Sequence, residues 1–438
     1  MKTRRNFFIY SGLGVLSTLL VSCLGGKKNK DGKEVGSTES KSGDPANSNE
    51  IEFWTMQLQP KFTKYFNDAI DQFEQANPGI KVKWVDVPWA GMESKILAAM
   101  QAKNAPDVVN LNPDFASQLA AKNAWLELDE KTLAGAEKSY LPGMLRANSL
   151  NGKIFGLPWY ITTNITIYNQ ELFKKAGIAK PPKTYAELAI AAKQIKEKTG
   201  KYAFFATLLA EDANDVLESL VQMGVELVNP AGKAGFNSPL GKAAFQYWVD
   251  LYKQGLLPKT VLTEGHKQGN QLYQAGEVAI LFAGAPTIND IAKNAPTIAK
   301  VSAIAPQVIG QTNKISAAVM NLVIPASSKK SAAAVKFALF VTNAVNQLAF
   351  ANSSDTLPSQ TKAVADYKTA LKASTEPLAQ GKIISASQLD RAEVLIPPIK
   401  DINILKKAIY EALQAAMAGE QTVDQALQAA AAAWDSRA

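Results

Sequence analysis

The chain has 438 residues, which is room for two or three domains with sizeable cores. A hydrophobic content of 47% beside 20% charged residues is typical of a globular protein. The formal net charge is +8, but removal of a leader carrying Lys2, Arg4 and Arg5 leaves 44 basic against 39 acidic residues, a net of +5. These charges are scattered, which argues against nucleic-acid binding.

One cysteine and one histidine limit the chemistry that this chain can carry. Cys23 alone cannot form an intrachain disulfide, and His266 alone gives little support to a histidine metal site or a Ser-His-Asp triad. His266 stands in a polar, glycine-containing stretch at 264–269, which predicts a solvent-exposed loop residue. We therefore predict no metal and no cofactor.

Residues 1–22 predict a secretory signal peptide. A positive end at 2–5 precedes an apolar stretch at 7–21 that is too short and too interrupted to span a membrane. Residues 20–23 read L-V-S-C and resemble the lipobox of bacterial lipoproteins, which implies acylation of Cys23 and a membrane anchor. Residues 3–8 resemble a twin-arginine signal, so export by that route or by the general secretory route stays open.

The segment 23–50 predicts a flexible tether behind the lipidated cysteine. It is rich in Gly, Ser, Asn and charged residues, and its lysines and acids cancel. Such a composition cannot bury a core. By random-coil scaling the tether would hold the body about 25–30 Å from the lipid.

Residues 51–111 predict a β-α-β-α-β unit. Strands are expected at 51–56, 80–84 and 107–111, and Phe62, Phe66, Ile70 and Phe73 give the first helix an apolar face. Alternating strands and helices indicate a parallel α/β sheet, in which ligands bind beyond the carboxyl ends of the strands. The residues at those ends include Trp54, Gln57, Trp89, Asn112 and Asp114.

The stretch 151–188 predicts a crossing from one domain to another. It combines an Asn-Gly turn, the aromatic segment 158–160, a β-branched strand at 162–168, a helix ending at Gly177, and a new helix start at 184–187. Its order of motifs, G-K-x-F-G-L-P, Y-N, E-L-F-x-K-A-G and P-P-K-T-Y-x-E-L, resembles that of family 1 extracellular solute-binding proteins, the carbohydrate receptors of ABC importers.

This resemblance implies an α/β fold of the type II periplasmic-binding-protein kind, as in maltose-binding proteins. Two lobes, each a mixed or parallel sheet flanked by helices, would be joined by hinge crossovers and would close on a ligand. The implied boundaries are 51–160 plus 302–346 for lobe I and 161–301 plus 347–438 for lobe II. Helices are predicted at 184–198, 239–254, 401–418 and 421–435, and a strand at 277–282.

A carbohydrate site needs aromatic faces for the C–H surfaces of sugars and carboxylates or amides for the hydroxyls. Trp159, Tyr160 and Thr162 at the crossover join the strand-end residues in this role. Regions similar to the family add Gly284, Pro286, Asn321 and Ser354, although Pro286 stands where the family carries a sugar-stacking aromatic. The predicted ligand-binding residues are Trp54, Gln57, Trp89, Asn112, Asp114, Trp159, Tyr160, Thr162, Gly284, Pro286, Asn321 and Ser354. Trp84, Trp125, Trp248 and Trp434 are assigned to the core.

The resemblance implies a monomeric binding protein and not an enzyme, lipid-anchored through Cys23 and facing the periplasm or cell exterior. It would bind a di- or oligosaccharide or a glycosylated polyol and deliver it to ABC permease subunits. A phosphorylated polyol such as glycerol-3-phosphate or a diester is the alternative ligand, but lysines and arginines are sparse near the predicted strand ends. A lipid-anchored glycoside hydrolase and a receptor that reports to a sensor are further alternatives.

Overall fold

A computed structural model describes residues 49–212, 214–372, 374–396 and 399–437. The predicted signal peptide, the lipidation of Cys23 and nearly all of the tether lie outside these residues. The described strands are β1 Glu50–Met56, β2 Lys81–Val87, β3 Val108–Leu111, β4 Ser149–Leu150, β5 Lys153–Ile154, β6 Gly156–Asn169, β7 Ile280–Gly284, β8 Ser302–Ala305, β9 Ile315–Val323, β10 Leu357–Pro358 and β11 Ala392–Glu393.

The helices of the first half of the chain are α1 Thr63–Ala76, α2 Trp89–Gln101, α3 Pro113–Ala120, α4 Glu130–Leu133, α5 Pro142–Ala147, α6 Gln170–Ala176, α7 Tyr185–Thr199 and α8 Asp215–Gln222. Those of the second half are α9 Pro239–Lys253, α10 His266–Gln274, α11 Thr287–Asn294, α12 Pro296–Ala299, α13 Ser331–Val341, α14 Ala344–Ser354, α15 Thr361–Leu371, α16 Pro377–Ser387, α17 Ile402–Ala418 and α18 Val423–Asp435. The predicted α/β class is confirmed.

Helix ends follow the local sequence signals. Thr184, Ser238 and Thr422 accept hydrogen bonds from the N–H groups at the starts of α7, α9 and α18. Gly177 and Gly200 adopt the left-handed conformation that ends α6 and α7. The predicted helices at 184–198, 239–254, 401–418 and 421–435 are therefore present to within two residues.

The long strand β6 carries the chain through the sheet. Its first part, from Gly156 to Thr163, pairs with β9, and its second part, from Asn164 onward, pairs with β7 and β8. Strands β1, β2 and β3 extend the sheet from the far side of β9, where β1 pairs in parallel with β2 and β3. The crossing predicted for this stretch is one continuous 14-residue strand.

Buried side chains form two large cores within residues 49–437. The first core joins β1–β3 and the start of β6 to α1 and α13, and the second core lies among α6–α9, α17 and α18. Two smaller clusters lie along β6: one includes Tyr273 from α10, and the other joins α5 to helices α14–α16. The lobe boundaries stay a prediction, since residues 351–392 pack with 141–147 rather than in the second core.

Within the described residues, no single helix is long and apolar enough to cross a membrane. Only α13 and α14 taken together, bent by 58°, meet that requirement by length and composition. The buried side chains of α13 belong to the first core.

Candidate functional site

A cavity of about 440 Å³ opens beside the second core, next to the point where β6 passes from β9 to β7. It is walled by β6, β7, the helices α7–α10 and the segment between β8 and β9. Its aromatic lining residues are Tyr185, Phe204, Phe205, Trp248 and Phe282, and its polar ones include Asn164, Gln222, Asn270, Gln307 and Ser316. Three carboxylates, Asp212, Asp215 and Glu218, and the single His266 complete the charged lining.

The aromatic walls are held by the second core. Phe204 packs edge-on against Trp248 at 6.1 Å and against Phe282 at 5.9 Å between ring centroids. Trp248 is buried as predicted, and its indole N–H donates to Ser219 Oγ at 2.9 Å. Phe204 and Trp248 are themselves buried, whereas Tyr185, Phe205 and Phe282 are half-buried and line the cavity, which suits stacking against the C–H face of a sugar.

His266 and Asp212 form one rim of the cavity. The imidazole Nδ1 lies 2.9 Å from the Asp212 carboxylate, and the backbone N–H of His266 also donates to it. A Cβ on the preceding Gly265 would lie 2.7 Å from an Asp212 oxygen, so a larger residue there would displace the Asp212 carboxylate from this position. The prediction of a loop at His266 is wrong: the residue begins α10, and its exposed ring lines the cavity.

Asp215 and Glu218 lie one turn apart on α8 and face the same cavity. Glu218 accepts a hydrogen bond from the Ser316 hydroxyl at 2.5 Å. Burial, followed by the negative charge of Asp215, raises the pKa of Glu218 to about 7. Protein atoms also surround the Asp215 carboxyl, although water reaches it through the cavity. Burial, and then the negative charge of Asp212, raise the pKa of Asp215.

An amide network ties the segment between β8 and β9 to α8. Gln222 Nε2 donates to Gln307 Oε1 at 3.2 Å and to the Lys314 carbonyl at 3.0 Å, while Tyr185 donates its hydroxyl proton to Gln222 Oε1. Gln307 Oε1 in turn accepts from the Ser316 N–H at 2.8 Å. The network fixes Ser316 and hence the orientation of the Glu218 carboxyl.

The structure places three of the predicted site residues in the first core. Trp159 is 0% exposed, its ring stacks on Phe350 at 5.0 Å and 23°, and Tyr160 packs edge-on against it. Trp54 is also buried. Its indole N–H donates a hydrogen bond to the Glu52 carboxylate at 2.7 Å, and the Lys95 ammonium lies over its ring. The prediction that Trp159 faces an open cleft is wrong in this structure, because its ring is enclosed by other side chains.

Other predicted residues are at the surface or serve local structure. Trp89 is 45% exposed at the start of α2, and Gln57 and Thr162 are exposed. Asn112 caps α3 by accepting from the Phe115 N–H at 2.8 Å, and Ser354 donates its hydroxyl proton to the Phe350 carbonyl at 2.7 Å. None of the twelve predicted ligand-binding residues lines the cavity, and their role in binding stays a prediction.

Three further predicted residues flank the cavity region. Gly284 pairs with Asn164 across β7 and β6, and Pro286 begins the turn into α11. Asp114 lies beside Asn214, which hydrogen-bonds it, and close enough to Glu218 to raise that pKa further. Asn321 is fully buried in β9, and its side-chain amide atoms have no hydrogen-bond partner among the described residues.

Sequence reasoning missed the acidic residues that follow the apolar run at 203–209. The available signal was the spacing of Asp215 and Glu218 on one helical face, together with the only histidine of the chain. Within the described residues, no group of three or more His, Cys, Asp or Glu side chains is arranged to hold a metal ion.

Comparison with known proteins gives the family. Residues 59–348 match the model for bacterial extracellular solute-binding proteins, and this chain belongs to that family. A periplasmic-binding protein from Synechococcus sp. MITs9220, provisionally assigned to oligosaccharides, is 37% identical with a TM-score of 0.80, covering 88% of this chain and 98% of its own. The fold is therefore the two-lobed fold of periplasmic sugar-binding proteins.

More distant relatives extend this comparison. The cyclic α-maltosyl-1,6-maltose binding protein of Arthrobacter globiformis shares the fold, with 21% identity and a TM-score of 0.76 over 88% of this chain and 98% of its own. The sn-glycerol-3-phosphate-binding periplasmic protein UgpB of Brucella abortus is 29% identical over 53% of this chain and 55% of its own. The match to the first curated relatives spans 62% of their length.

Proposed function

We propose that this protein is the substrate-binding component of an ABC importer and captures a saccharide in the cavity beside α8. The observation that carries the proposal is the combination of aromatic walls with carboxylate and amide groups in one 440 Å³ cavity. Family membership and the similarity to a protein assigned to oligosaccharides support it. Di- and oligosaccharides and glycosylated polyols fit this chemistry.

The lobes would close on the ligand by rotation about the crossovers near residues 160, 303 and 347, with lobe I as 51–160 plus 302–346 and lobe II as 161–301 plus 347–438. The separation of the first and second cores supports two bodies of this kind. The closed, monomeric form would then present the ligand to permease subunits in the membrane.

A phosphorylated polyol is the alternative that the similarity to UgpB raises. Phosphate recognition calls for arginine, lysine or a helix N-terminus directed at the ligand. The residues that line this cavity include Asp212, Asp215 and Glu218 but no lysine or arginine. Repulsion by these carboxylates disfavours a phosphorylated ligand here.

Binding is tested by titrating the purified protein with maltose, maltotriose, cellobiose, trehalose and glucosylglycerol, with glycerol-3-phosphate as the competing ligand. Trp248 lines the cavity, so its fluorescence should change on binding. Saturable binding of at least one sugar is expected. Exclusive binding of glycerol-3-phosphate would replace the sugar proposal, and release of reducing ends from the sugars would identify a glycoside hydrolase instead.

We also propose that Cys23 anchors the protein to the cell membrane with the body on the outer side, in the periplasm or cell exterior, behind the tether. The lipobox-like residues 20–23 and membership of an extracellular family support this. Cys23→Ser should move the protein from the membrane to the soluble fraction or leave the leader unprocessed. Normal processing with unchanged membrane attachment would exclude lipidation at this residue.

A further inference from the structure

The charges that line the cavity do not balance. Asp212, Asp215 and Glu218 contribute three carboxylates, and His266 is the only basic side chain in the lining. His266 is paired with Asp212, whose carboxylate lies 2.9 Å from the imidazole Nδ1. Asp215 and Glu218 therefore define the acidic end of the cavity, and we call these two residues the α8 acid pair.

The α8 acid pair has no partner cation within ion-pair distance in the described part of the chain, where neither residue belongs to a salt bridge. The Glu218 carboxyl accepts a hydrogen bond from the neutral Ser316 hydroxyl. Around the pair, Asp114 and Asp212 add negative charge, Lys406 on α17 and the protonated form of His266 supply positive charge, and Tyr185 and Tyr410 are neutral. The acidic charge is thus left only partly compensated.

Aromatic rings stand next to this acidic end. Tyr185 and Phe205, both half-buried, line the same cavity as the α8 acid pair. A cation can be received by carboxylates on one side and by the faces of aromatic rings on the other, and both interactions strengthen where water is excluded. A neutral hydroxyl in the same position gains a hydrogen bond but does not neutralise the pair.

We propose that the ligand is a saccharide that carries a protonated amine, and that its ammonium group is bound by Asp215 and Glu218. This inference rests on the proposed function and names its substrate class. The sugar ring would lie along the aromatic walls, while the ammonium supplies the charge that the cavity lacks. Binding of the ammonium group would favour the ionised form of both carboxyls.

The test compares matched sugars by isothermal titration calorimetry of the full protein at pH 7. Each pair compares an amino sugar with the sugar that carries hydroxyl groups instead: glucosamine with glucose, galactosamine with galactose, and the β-1,4-linked disaccharide of glucosamine with cellobiose. The N-acetylated form of the glucosamine disaccharide, in which the amines are uncharged, is also titrated. The amine should bind at least about ten-fold more tightly than its neutral counterpart in the pair that binds best, a difference of about 1.4 kcal/mol. The advantage should shrink in high salt, as for a charge interaction.

Substitutions test whether the α8 acid pair causes the preference for amino sugars. Glu218→Gln and Asp215→Asn should each reduce the amine preference by about five-fold or more and change the affinity for the neutral sugar less. Asp366→Asn, on the exposed face of α15, is the matched control and should leave the preference unchanged. Because Asp215 is reached by solvent, Asp215→Asn should fold even if Glu218→Gln does not.

The possible outcomes separate the two proposals. Neutral sugars that bind as tightly as their amines would overturn this inference and leave the proposed function standing. An amine preference that survives both variants would also overturn it, since the acid pair would not be its source. Absence of binding by every sugar, neutral or amine, would overturn the proposed function as well.

Discussion

The first core and the cavity beside α8 are both rich in aromatic rings, yet they differ in what the rings enclose. Around Trp159, rings from four elements pack on one another: Phe53, Phe66, Tyr160 and Phe350. Around the cavity, the rings of Tyr185, Phe205 and Phe282 are only half-buried, and three acidic residues line the same space. Aromatic content alone therefore does not mark a binding site.

The difference lies in the charged residues nearby. Buried carboxylates are costly without partners, so a protein retains them next to apolar rings where a ligand supplies the compensation. The first core instead buries Trp159 with its indole Nε1 unpaired among the described residues, a cost that extensive ring packing offsets. Substitutions in the two regions should consequently affect different quantities.

The largest effect is expected for Trp159→Ala. Loss of a fully buried indole leaves a cavity in the first core and should lower the free energy of unfolding by about 3–5 kcal/mol, measured by urea denaturation. Trp89→Ala, at a side chain that is 45% exposed, is the control and should change it by under about 1 kcal/mol. A stable Trp159→Ala protein that has lost sugar binding would show instead that this ring belongs to the ligand site.

The next effect concerns pH and Glu218. Its pKa is about 7 in the folded protein against 4.5 for the ordinary group, so the folded state holds a proton that the unfolded chain releases. The contribution of this group to stability is therefore greatest below about pH 4.5 and falls as the pH rises toward 7, by up to about 3 kcal/mol. Asp215, whose pKa is also raised, contributes with the same sign.

Glu218→Gln should flatten this pH dependence, because glutamine stays neutral throughout. Urea denaturation at pH 5 and pH 7.5 measures the difference, and Asp366→Asn, an exposed acid paired with Lys362, should retain the slope of the unmodified protein. An identical slope in Glu218→Gln would mean that Glu218 ionises normally and that the α8 acid pair is not electrostatically strained.

The smallest effect is expected for Phe205→Ala, which removes one ring from the cavity wall. Affinity for the tightest-binding sugar should fall by about 1–3 kcal/mol, the range for one aromatic contact in a largely desolvated site. Phe350→Ala is the contrasting variant, since that ring lies in the first core and should affect stability rather than affinity. Equal losses of affinity in the two variants would contradict the assignment of Phe205 to the ligand site and of Phe350 to the first core.

The sequence alone determined the α/β class, the family and the bounds of the four helices α7, α9, α17 and α18. These features depend on short-range signals: apolar periodicity, the caps Thr184, Ser238 and Thr422, the glycines that end helices, and ordered motifs along 151–188. Such signals act over one or two turns, so they can be seen in the chain itself.

The site was decided only by tertiary structure. Trp159 was expected in the cleft because it lies in the predicted crossing between the lobes. Instead, β6 runs unbroken to Asn169, and the side of the sheet on which Trp159 falls is covered by α13 and α14. Conversely, Asp212 and His266 are 54 positions apart in the chain, and only the tertiary structure brings the start of α10 against the segment before α8. Which face a side chain occupies, and which distant segment covers it, depends on long-range contacts that local patterns do not contain.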